Sequence, residues 1–176
     1  MPADAPYAVL FLCTGNSARS ILGEALLNAL GGGRFRAYSA GSHPRGEVHS
    51  LALDVLRENG IPIEGLRSKS WDAFAGPDAP PMHFVFTVCD TAAGETCPIW
   101  PGRPVTAHWG IEGPAAVEGP EFRRRAAFED VYRFMRNRIE AFVSLPLASI
   151  DSLALAARLK GIGAMSGSTV HAAQVA

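Results

Sequence analysis

Apolar positions follow two different spacings along the chain, and the two spacings predict alternating strands and helices. Continuous apolar runs are typical of strands buried on both faces, whereas apolar residues three or four positions apart indicate helices. The predicted strands cover residues 7–12, 35–39, 83–88 and 105–108. The predicted helices cover residues 20–30, 48–59, 121–145 and 149–160, with a short helix ending at Phe74 that Ser68 or Ser70 would cap. The stretch 90–104, rich in glycine and proline, is predicted to be a long loop.

This alternation predicts an α/β fold, a single-domain open four-stranded parallel sheet with helices on both faces. The domain is expected to span residues 7–160, between a flexible N-terminus at 1–6 and a mobile tail at 161–176. Ligands of such sheets bind beyond the carboxyl ends of the strands. Cys13 and Cys89 each follow a predicted strand, so we expect both thiols at the same edge of the sheet.

Composition narrows the class of protein. Of the 176 residues, 48% are hydrophobic, and the formal net charge is −1. A charge this small provides no global field for attracting nucleic acid or an anionic membrane, so an anion site has to be local. No secretory signal pattern and no apolar run of about 18 residues is visible. We therefore expect a cytoplasmic protein with neither a nucleic-acid nor a membrane partner.

The three cysteines are Cys13, Cys89 and Cys97. An odd, small number of cysteines without a secretory signal argues against a structural disulfide framework and favours reactive thiols. Composition alone would allow inert core cysteines, but the placement of these three favours chemistry.

The segment from Cys13 to Arg19 has the composition of an oxyanion-binding turn between a strand and a helix. Successive backbone N–H groups and the positive end of the following helix dipole form a cradle for a tetrahedral anion, and the Arg19 guanidinium can close it with two hydrogen bonds. Asn16 is the non-glycine type that best tolerates left-handed backbone angles. The predicted oxyanion-binding residues are Thr14, Gly15, Asn16, Ser17, Ala18 and Ser20.

The same surroundings are expected to favour the thiolate of Cys13 and to lower its pKa to roughly 3.5–7.5. The Ser17 or Ser20 hydroxyl is a candidate hydrogen-bond donor to the sulfur. The turn lacks the lysine and the spacing of a nucleotide-binding Walker loop, so a nucleoside triphosphatase is disfavoured.

LCTGNSARS resembles the active-site loop C-x5-R-S of the low-molecular-weight protein tyrosine phosphatase superfamily. The segments VCDTAAGETCPIWPG at 88–102 and AHWG at 107–110 are closest to its arsenate reductase branch, of the thioredoxin-coupled type. The resemblance covers roughly residues 7–145. It implies the low-molecular-weight phosphatase fold, which is flavodoxin-like, and an oxidoreductase of arsenic resistance.

The resemblance also implies a mechanism in which thiols reduce arsenate to arsenite. Cys13 attacks arsenic, Cys89 then attacks the Cys13 sulfur as arsenite leaves, and Cys97 takes over the redox-active disulfide by attacking Cys89. Arg19 is implied as the fourth catalytic residue. The expected electron donor is thioredoxin, with glutaredoxin and glutathione as the alternative.

The chain departs from this family at the general acid. The family usually carries an Asp just before a Pro in the loop after His-Trp-Gly, where it protonates the leaving oxygen. Here Gly113 precedes Pro114. Glu112 is the candidate replacement, and the alternative is that Glu112 faces solvent. His108 is expected to pack or hydrogen-bond beside the loop rather than to exchange protons.

A second departure concerns a cation. Some members of the family hold potassium behind the loop through Asn, Glu, Ser and Asp side chains. Asn16, Glu24 and Ser39 match three of these positions, and Lys69 stands at the fourth. We predict that the Lys69 ammonium takes the place of the ion, so that no metal or other cofactor is required; an exposed Lys69 is the alternative.

Two other functions remain open at this level. One is a protein tyrosine or small-molecule phosphatase that uses Cys13 and Arg19. The other is a non-catalytic oxyanion binder or thiol redox sensor, which the missing Asp favours.

Overall fold

The computed structural model describes residues 5–95, 98 and 100–169. The strands are β1 (Tyr7–Cys13), β2 (Phe35–Gly41), β3 (Phe84–Thr87) and β4 (Val105–His108). The helices are α1 (Arg19–Leu30), α2 (Ser50–Glu58), α3 (Asp90–Gly94), α4 (Glu121–Val143) and α5 (Ser152–Gly163). Two 3-10 turns cover Trp71–Phe74 and Pro114–Ala116.

The four strands form one parallel sheet in the order β2-β1-β3-β4. Cys13 at the end of β1 pairs with Gly41 of β2, and Leu12 pairs with Thr87 of β3. The carboxyl ends of the three strands therefore meet at one edge. The α/β class and the four-stranded parallel sheet predicted from the sequence are confirmed.

The sheet separates two cores because neighbouring residues of a strand point to opposite faces. Val9 and Phe11 of β1 contribute to the larger core, together with α1, α2, α4 and α5. Leu10 and Leu12 contribute to the smaller one, which the 3-10 turn Trp71–Phe74 helps to cover. Ser70 caps this turn by accepting a hydrogen bond from the backbone N–H of Asp72, so Ser70 rather than Ser68 is the capping residue.

Trp109 anchors the loop that follows β4. Its ring is fully buried and stacks on Phe86, with 3.9 Å between the ring centroids and 13° between the planes. The indole Nε1 donates to the carbonyl of Leu159 at 3.1 Å. Both the Trp109 ring and its polar atom have partners, so the backbone at this residue is held in place. Residues 110–113 follow it beside the carboxyl ends of the strands.

The prediction of one long loop over 90–104 is wrong at its start, where α3 lies. The Cys89 sulfur caps this helix by accepting a hydrogen bond from the N–H of Ala92 at 3.3 Å. A helix of five residues is too short to show an apolar period, so its sequence pattern is that of a loop.

The predicted boundary at residue 160 falls inside α5, which continues to Gly163. Beyond it, the fully buried Arg138 donates to the carbonyls of Met165 and Ser166, each at 3.1 Å. This cation lies at the carboxyl end of α5, where a positive charge stabilises the helix dipole. The segment 164–169 therefore packs on the domain, whereas residues 1–4 and 170–176 lie outside the described residues.

Over the part of the chain that the structure describes, none of the helices combines the length and the apolar character needed to span a bilayer.

Candidate active site

The turn between β1 and α1 forms one wall of a cavity of about 260 Å³. Cys13 is the last residue of β1 and Arg19 is the first of α1, so the turn is held at both ends. Asn16 adopts the left-handed region with φ 45°, as its type predicts. The turn residues that line the cavity are Cys13, Thr14, Gly15, Ser17, Ala18 and Arg19.

Two of the predicted oxyanion-binding residues support the turn from behind instead of lining the cavity. Asn16 and Ser20 are both fully buried. The Asn16 amide donates to the Ser20 hydroxyl at 2.8 Å and to the Ser39 hydroxyl at 3.0 Å, and its oxygen accepts from the N–H of Lys69 at 2.9 Å. Their side chains therefore fix the shape of the turn, because a buried amide that lacks its partners would cost stability.

Lys69 lies where the sequence comparison with the family suggested a cation. Its ammonium is 3.4 Å from the Glu24 carboxylate and 3.4 Å from the Ser39 hydroxyl, and it donates to the Arg67 carbonyl at 2.9 Å. The side chain is only 14% exposed. Burial lowers the pKa of Lys69, and Glu24 opposes that shift. Lys69 is therefore a largely buried support of the turn and not a freely solvated lysine.

Replacing Lys69 by methionine is expected to destabilise the protein by about 1–3 kcal/mol, because the shielded Glu24 carboxylate loses its cation. Urea unfolding measures this change. Lys160→Met on the exposed end of α5 is the matched control, and we expect it to have little effect. Replacing sodium by potassium in the buffer should leave the stability and the activity of the wild type unchanged, and it should partly restore the stability of Lys69→Met. Strong stimulation of the wild-type activity by potassium would show that Lys69 does not replace an ion.

Cys89 lies opposite Cys13, as the common strand edge predicted. It follows β3, also lines the cavity and is 3% exposed, against 5% for Cys13. Its sulfur is 3.5 Å from the Thr14 hydroxyl and accepts from the Ala92 N–H. Both cysteines are free thiols.

The pKa values of the two thiols are shifted in opposite directions, which favours one proton shared by the pair at neutral pH. A hydrogen bond from Cys13 lowers the pKa of Cys89 to about 5, with further support from Thr14, the Ala92 N–H and Arg19. The same hydrogen bond, together with burial, raises the pKa of Cys13. The prediction of a lowered pKa at Cys13 is therefore wrong for the pair in this arrangement. The surroundings favour one thiolate in the pair, and in this arrangement the lower pKa belongs to Cys89.

The ultraviolet absorbance of thiolate, followed in a Cys97→Ser variant, is expected to show about one thiolate per protein at pH 7. Because the pKa of Cys89 is lowered to about 5, this thiolate should persist above that pH and disappear as the pH falls through it. The urea-unfolded protein is the control, in which both thiols should titrate near the ordinary value of about 8.5. A folded protein without thiolate at pH 7 would contradict the shared proton.

Arg19 reaches across the cavity to the loop after β4. One of its nitrogens, Nη1, donates to the carbonyl of Ile111 at 2.7 Å. A β-carbon at Gly113 would lie 3.2 Å from the other nitrogen, Nη2, so the glycine allows the guanidinium to lie close to this loop. A side chain at this position, where the resemblance placed the family's acid, would therefore lie against the Arg19 guanidinium.

Glu112 is exposed and lines a neighbouring cleft of about 720 Å³. Arg19, Cys89 and Gly113 line both this cleft and the cavity of the Cys13–Arg19 turn, whereas Glu112 lines only the cleft. Glu112 therefore lies near Arg19 and Cys89 and outside the wall of that cavity.

Glu112→Gln is therefore expected to change the turnover number by far less than the roughly 10²–10⁴-fold that general acid catalysis contributes. The measurement is steady-state kinetics at saturating oxyanion. Glu118→Gln, an exchange at a glutamate outside both cavities, is the control. A loss of 10²-fold or more confined to Glu112→Gln would identify Glu112 as the acid.

A hydrogen-bonded chain holds the start of α3, directly after Cys89. The Asp90 carboxylate accepts from Thr169 at 2.7 Å and lies 2.8 Å from His108 Nε2, while His108 Nδ1 is 2.8 Å from the Thr87 hydroxyl. The hydrogen bond from Thr169 is the main cause of the lowered pKa of Asp90, and His108 adds to it. His108 therefore has the hydrogen-bonding role that was predicted, and it positions Asp90.

Sequence reasoning did not identify three residues near the site. Thr169 belongs to the segment predicted to be a tail. His43 and Arg45 line the cavity from the loop after β2. The rule that ligands bind beyond the carboxyl ends of parallel strands would have drawn attention to this loop.

Cys97 lies outside the described residues, so its position relative to Cys89 stays a prediction. Within residues 5–95, 98 and 100–169, no three or more His, Cys, Asp or Glu side chains are grouped so that they could hold a metal ion.

Comparison with known proteins agrees with this geometry. Residues 8–152 match the family described as low molecular weight phosphotyrosine protein phosphatase. The arsenate reductase of Bacillus subtilis is 34% identical over 134 residues, which cover 76% of this chain and 93% of that protein.

Two solved structures are also similar. The arsenate reductase from Archaeoglobus fulgidus superposes with a TM-score of 0.61 at 26% identity, covering 78% of this chain and 99% of that one. The thioredoxin-dependent arsenate reductase from Corynebacterium glutamicum superposes with a TM-score of 0.57 at 28% identity. The match covers 84% of this chain and 65% of that one. The chain therefore belongs to the low molecular weight phosphotyrosine protein phosphatase family. Within that family, the three relatives described above are arsenate reductases.

Proposed function

We propose that this protein reduces arsenate to arsenite and that Cys13, Cys89 and Cys97 carry the electrons. The observation that supports this most directly is the pair of buried free thiols that line one cavity beside the Cys13–Arg19 turn. Hydrolysis of a phosphate ester needs one nucleophilic cysteine. A second thiol within reach of the first supplies what a two-electron reduction requires.

The first step joins Cys13 to arsenic. The backbone of the turn and the Arg19 guanidinium hold the oxyanion. The single proton of the pair moves from Cys13 to Cys89, and the Cys13 thiolate then attacks arsenic. A bond from arsenic to oxygen breaks, and the proton leaves with that oxygen as water, so Cys89 becomes the thiolate. This proton balance accounts for how the first step proceeds with Gly113 in place of the family's Asp.

The second step is the reduction. The Cys89 thiolate attacks the sulfur of Cys13, a disulfide forms between them, and the electron pair of the sulfur–arsenic bond passes to arsenic. Arsenic(V) gains two electrons and leaves as arsenite, while two thiols become one disulfide. Cys89, with its pKa lowered to about 5, is already ionised for this attack near pH 7.

Regeneration requires an external reductant. Cys97 attacks Cys89, the Cys13 thiolate leaves, and a dithiol protein reduces the Cys89–Cys97 disulfide. The similar arsenate reductase of Corynebacterium glutamicum depends on thioredoxin, which favours thioredoxin as the electron donor here. Glutaredoxin with glutathione is the alternative. Such a cycle needs a compartment that keeps thiols reduced, so we place the protein in the cytoplasm.

The test is arsenite production from arsenate with thioredoxin, its reductase and NADPH. The wild type should produce arsenite over many turnovers, and Cys13→Ser should produce none. Hydrolysis of an aryl phosphate without any arsenite production would instead identify a phosphatase.

A further inference from the structure

A second arginine lies at the rim of the oxyanion cavity. Arg45 follows β2, and it lines the cavity together with His43, Cys13 and Arg19. The cavity therefore has one guanidinium at the start of α1 and another from a different strand–helix connection.

Hydrogen bonds hold the Arg45 backbone against the oxyanion-binding turn. The N–H of His43 donates to the Thr14 carbonyl, and the N–H of Arg45 donates to the Gly15 carbonyl, each at 2.9 Å. The Ser68 hydroxyl donates to the same Gly15 carbonyl at 3.2 Å. The position of Arg45 is thus tied to the backbone that binds the anion.

The Arg45 side chain passes directly over Gly15. A β-carbon at Gly15 would lie 3.1 Å from Arg45 Nε and 3.3 Å from Arg45 Cγ. Any side chain at residue 15 would therefore push the arginine aside. The glycine gives the Arg45 guanidinium its room at the rim.

The Arg45 guanidinium forms no ion pair with a carboxylate among residues 5–95, 98 and 100–169. The arginines that do pair with acidic residues are Arg57, Arg125, Arg133 and Arg136. An unpaired guanidinium at the mouth of an anion cavity attracts a doubly charged oxyanion and can bind two of its oxygens.

We propose that Arg45 is a substrate-binding residue that makes the site prefer a free inorganic oxyanion to an organic phosphate ester. Arg19 and Arg45 together neutralise the charge of a dianion such as arsenate. Arg45 and His43 also occupy the rim, where the organic group of an ester would have to fit. This inference rests on the proposed function for the identity of the oxyanion, whereas the binding role itself does not depend on turnover.

The experiment compares Arg45→Gln and Arg45→Lys with Arg36→Gln, an exposed arginine on β2. Calorimetry measures the Kd for inorganic phosphate, which binds without being reduced, and kinetics measure arsenite production. In Arg45→Gln, the Kd for phosphate and the KM for arsenate should rise about 10- to 100-fold, with a much smaller change in kcat. The Kd and KM of Arg45→Lys should lie between those of Arg45→Gln and those of the wild type. Arg36→Gln should have the Kd and KM of the wild type. In Arg45→Gln, kcat/KM for the hydrolysis of para-nitrophenyl phosphate should fall by a smaller factor than kcat/KM for arsenate reduction.

Several results would overturn the inference. An unchanged Kd for phosphate in Arg45→Gln excludes a binding role, and an equal loss toward para-nitrophenyl phosphate excludes the selectivity. A rise in the KM for thioredoxin alone would make Arg45 a contact for the reductant instead. If the wild type makes no arsenite but binds phosphate in an Arg45-dependent way, the proposed function fails and the binding role stands.

Discussion

Replacing Cys89 by serine is expected to abolish arsenite production while leaving oxyanion binding intact. Serine keeps the size of the side chain and can still cap α3, but it cannot form a disulfide with Cys13. Arsenic then stays at the pentavalent stage because the sulfur–arsenic bond has no thiolate to displace its electrons. Arsenite measured with thioredoxin as the reductant should not exceed the reagent background, and the Kd for inorganic phosphate should stay close to that of the wild type.

Cys97→Ser is the matched control for this prediction, since it removes the thiol that acts after arsenite has left. It should release arsenite once per protein and then stop, whereas Cys89→Ser should release none. Sustained turnover by Cys89→Ser would show that Cys89 is a buried capping residue without a part in the electron transfer.

Replacing Arg19 by lysine is expected to lower kcat/KM for arsenate about 10²–10³-fold, which corresponds to roughly 2.7–4 kcal/mol of transition-state stabilisation. Lysine keeps the charge but loses the planar fork that can bind two oxygens at once. It also loses the geometry with which Nη1 bonds the Ile111 carbonyl, so the loop after β4 is held less firmly.

Arg36→Lys on the exposed edge of β2 tests the same chemical exchange away from the cavity and should leave kcat/KM unchanged. A loss in Arg19→Lys no larger than that of Arg36→Lys would mean that Arg19 supports the loop and does not bind the oxyanion.

The pairing of Cys13 with Cys89 could be predicted because it follows from topology. Both residues end strands of a parallel sheet, and such ends meet at one edge whatever their separation in sequence. The protonation of the pair could not be predicted in the same way. It depends on the hydrogen bond between the two sulfurs and on the Ala92 N–H, which belongs to a helix too short to leave an apolar pattern.

Lys69 and Arg45 show the same contrast. Lys69 was identified because it replaces a residue of a known set, and the structure places its ammonium beside Glu24 and Ser39. Arg45 belongs to no such set, and its loop has no hydrophobic period. Only the packing of that loop on Gly15 reveals that its guanidinium reaches the cavity.

Thr169 illustrates a different difficulty. Its segment follows α5, beyond the range 8–152 that matches the family. Small and polar residues there predict a tail, but the buried Arg138 fixes the neighbouring carbonyls and the Thr169 hydroxyl binds Asp90. The contacts that hold the segment come from Arg138 and Asp90, 28 and 79 positions earlier in the chain than their partners, and no local pattern can indicate them.

A single turnover without any external reductant tests most directly whether the paired cysteines reduce arsenate. Fully reduced protein is mixed with excess arsenate, and arsenite and free thiols are counted on the same sample. We expect about one arsenite released and two thiols lost per protein. Arsenite release without thiol loss, or no arsenite from a protein that binds phosphate and keeps all its thiols, would contradict the claim that the paired cysteines supply the electrons.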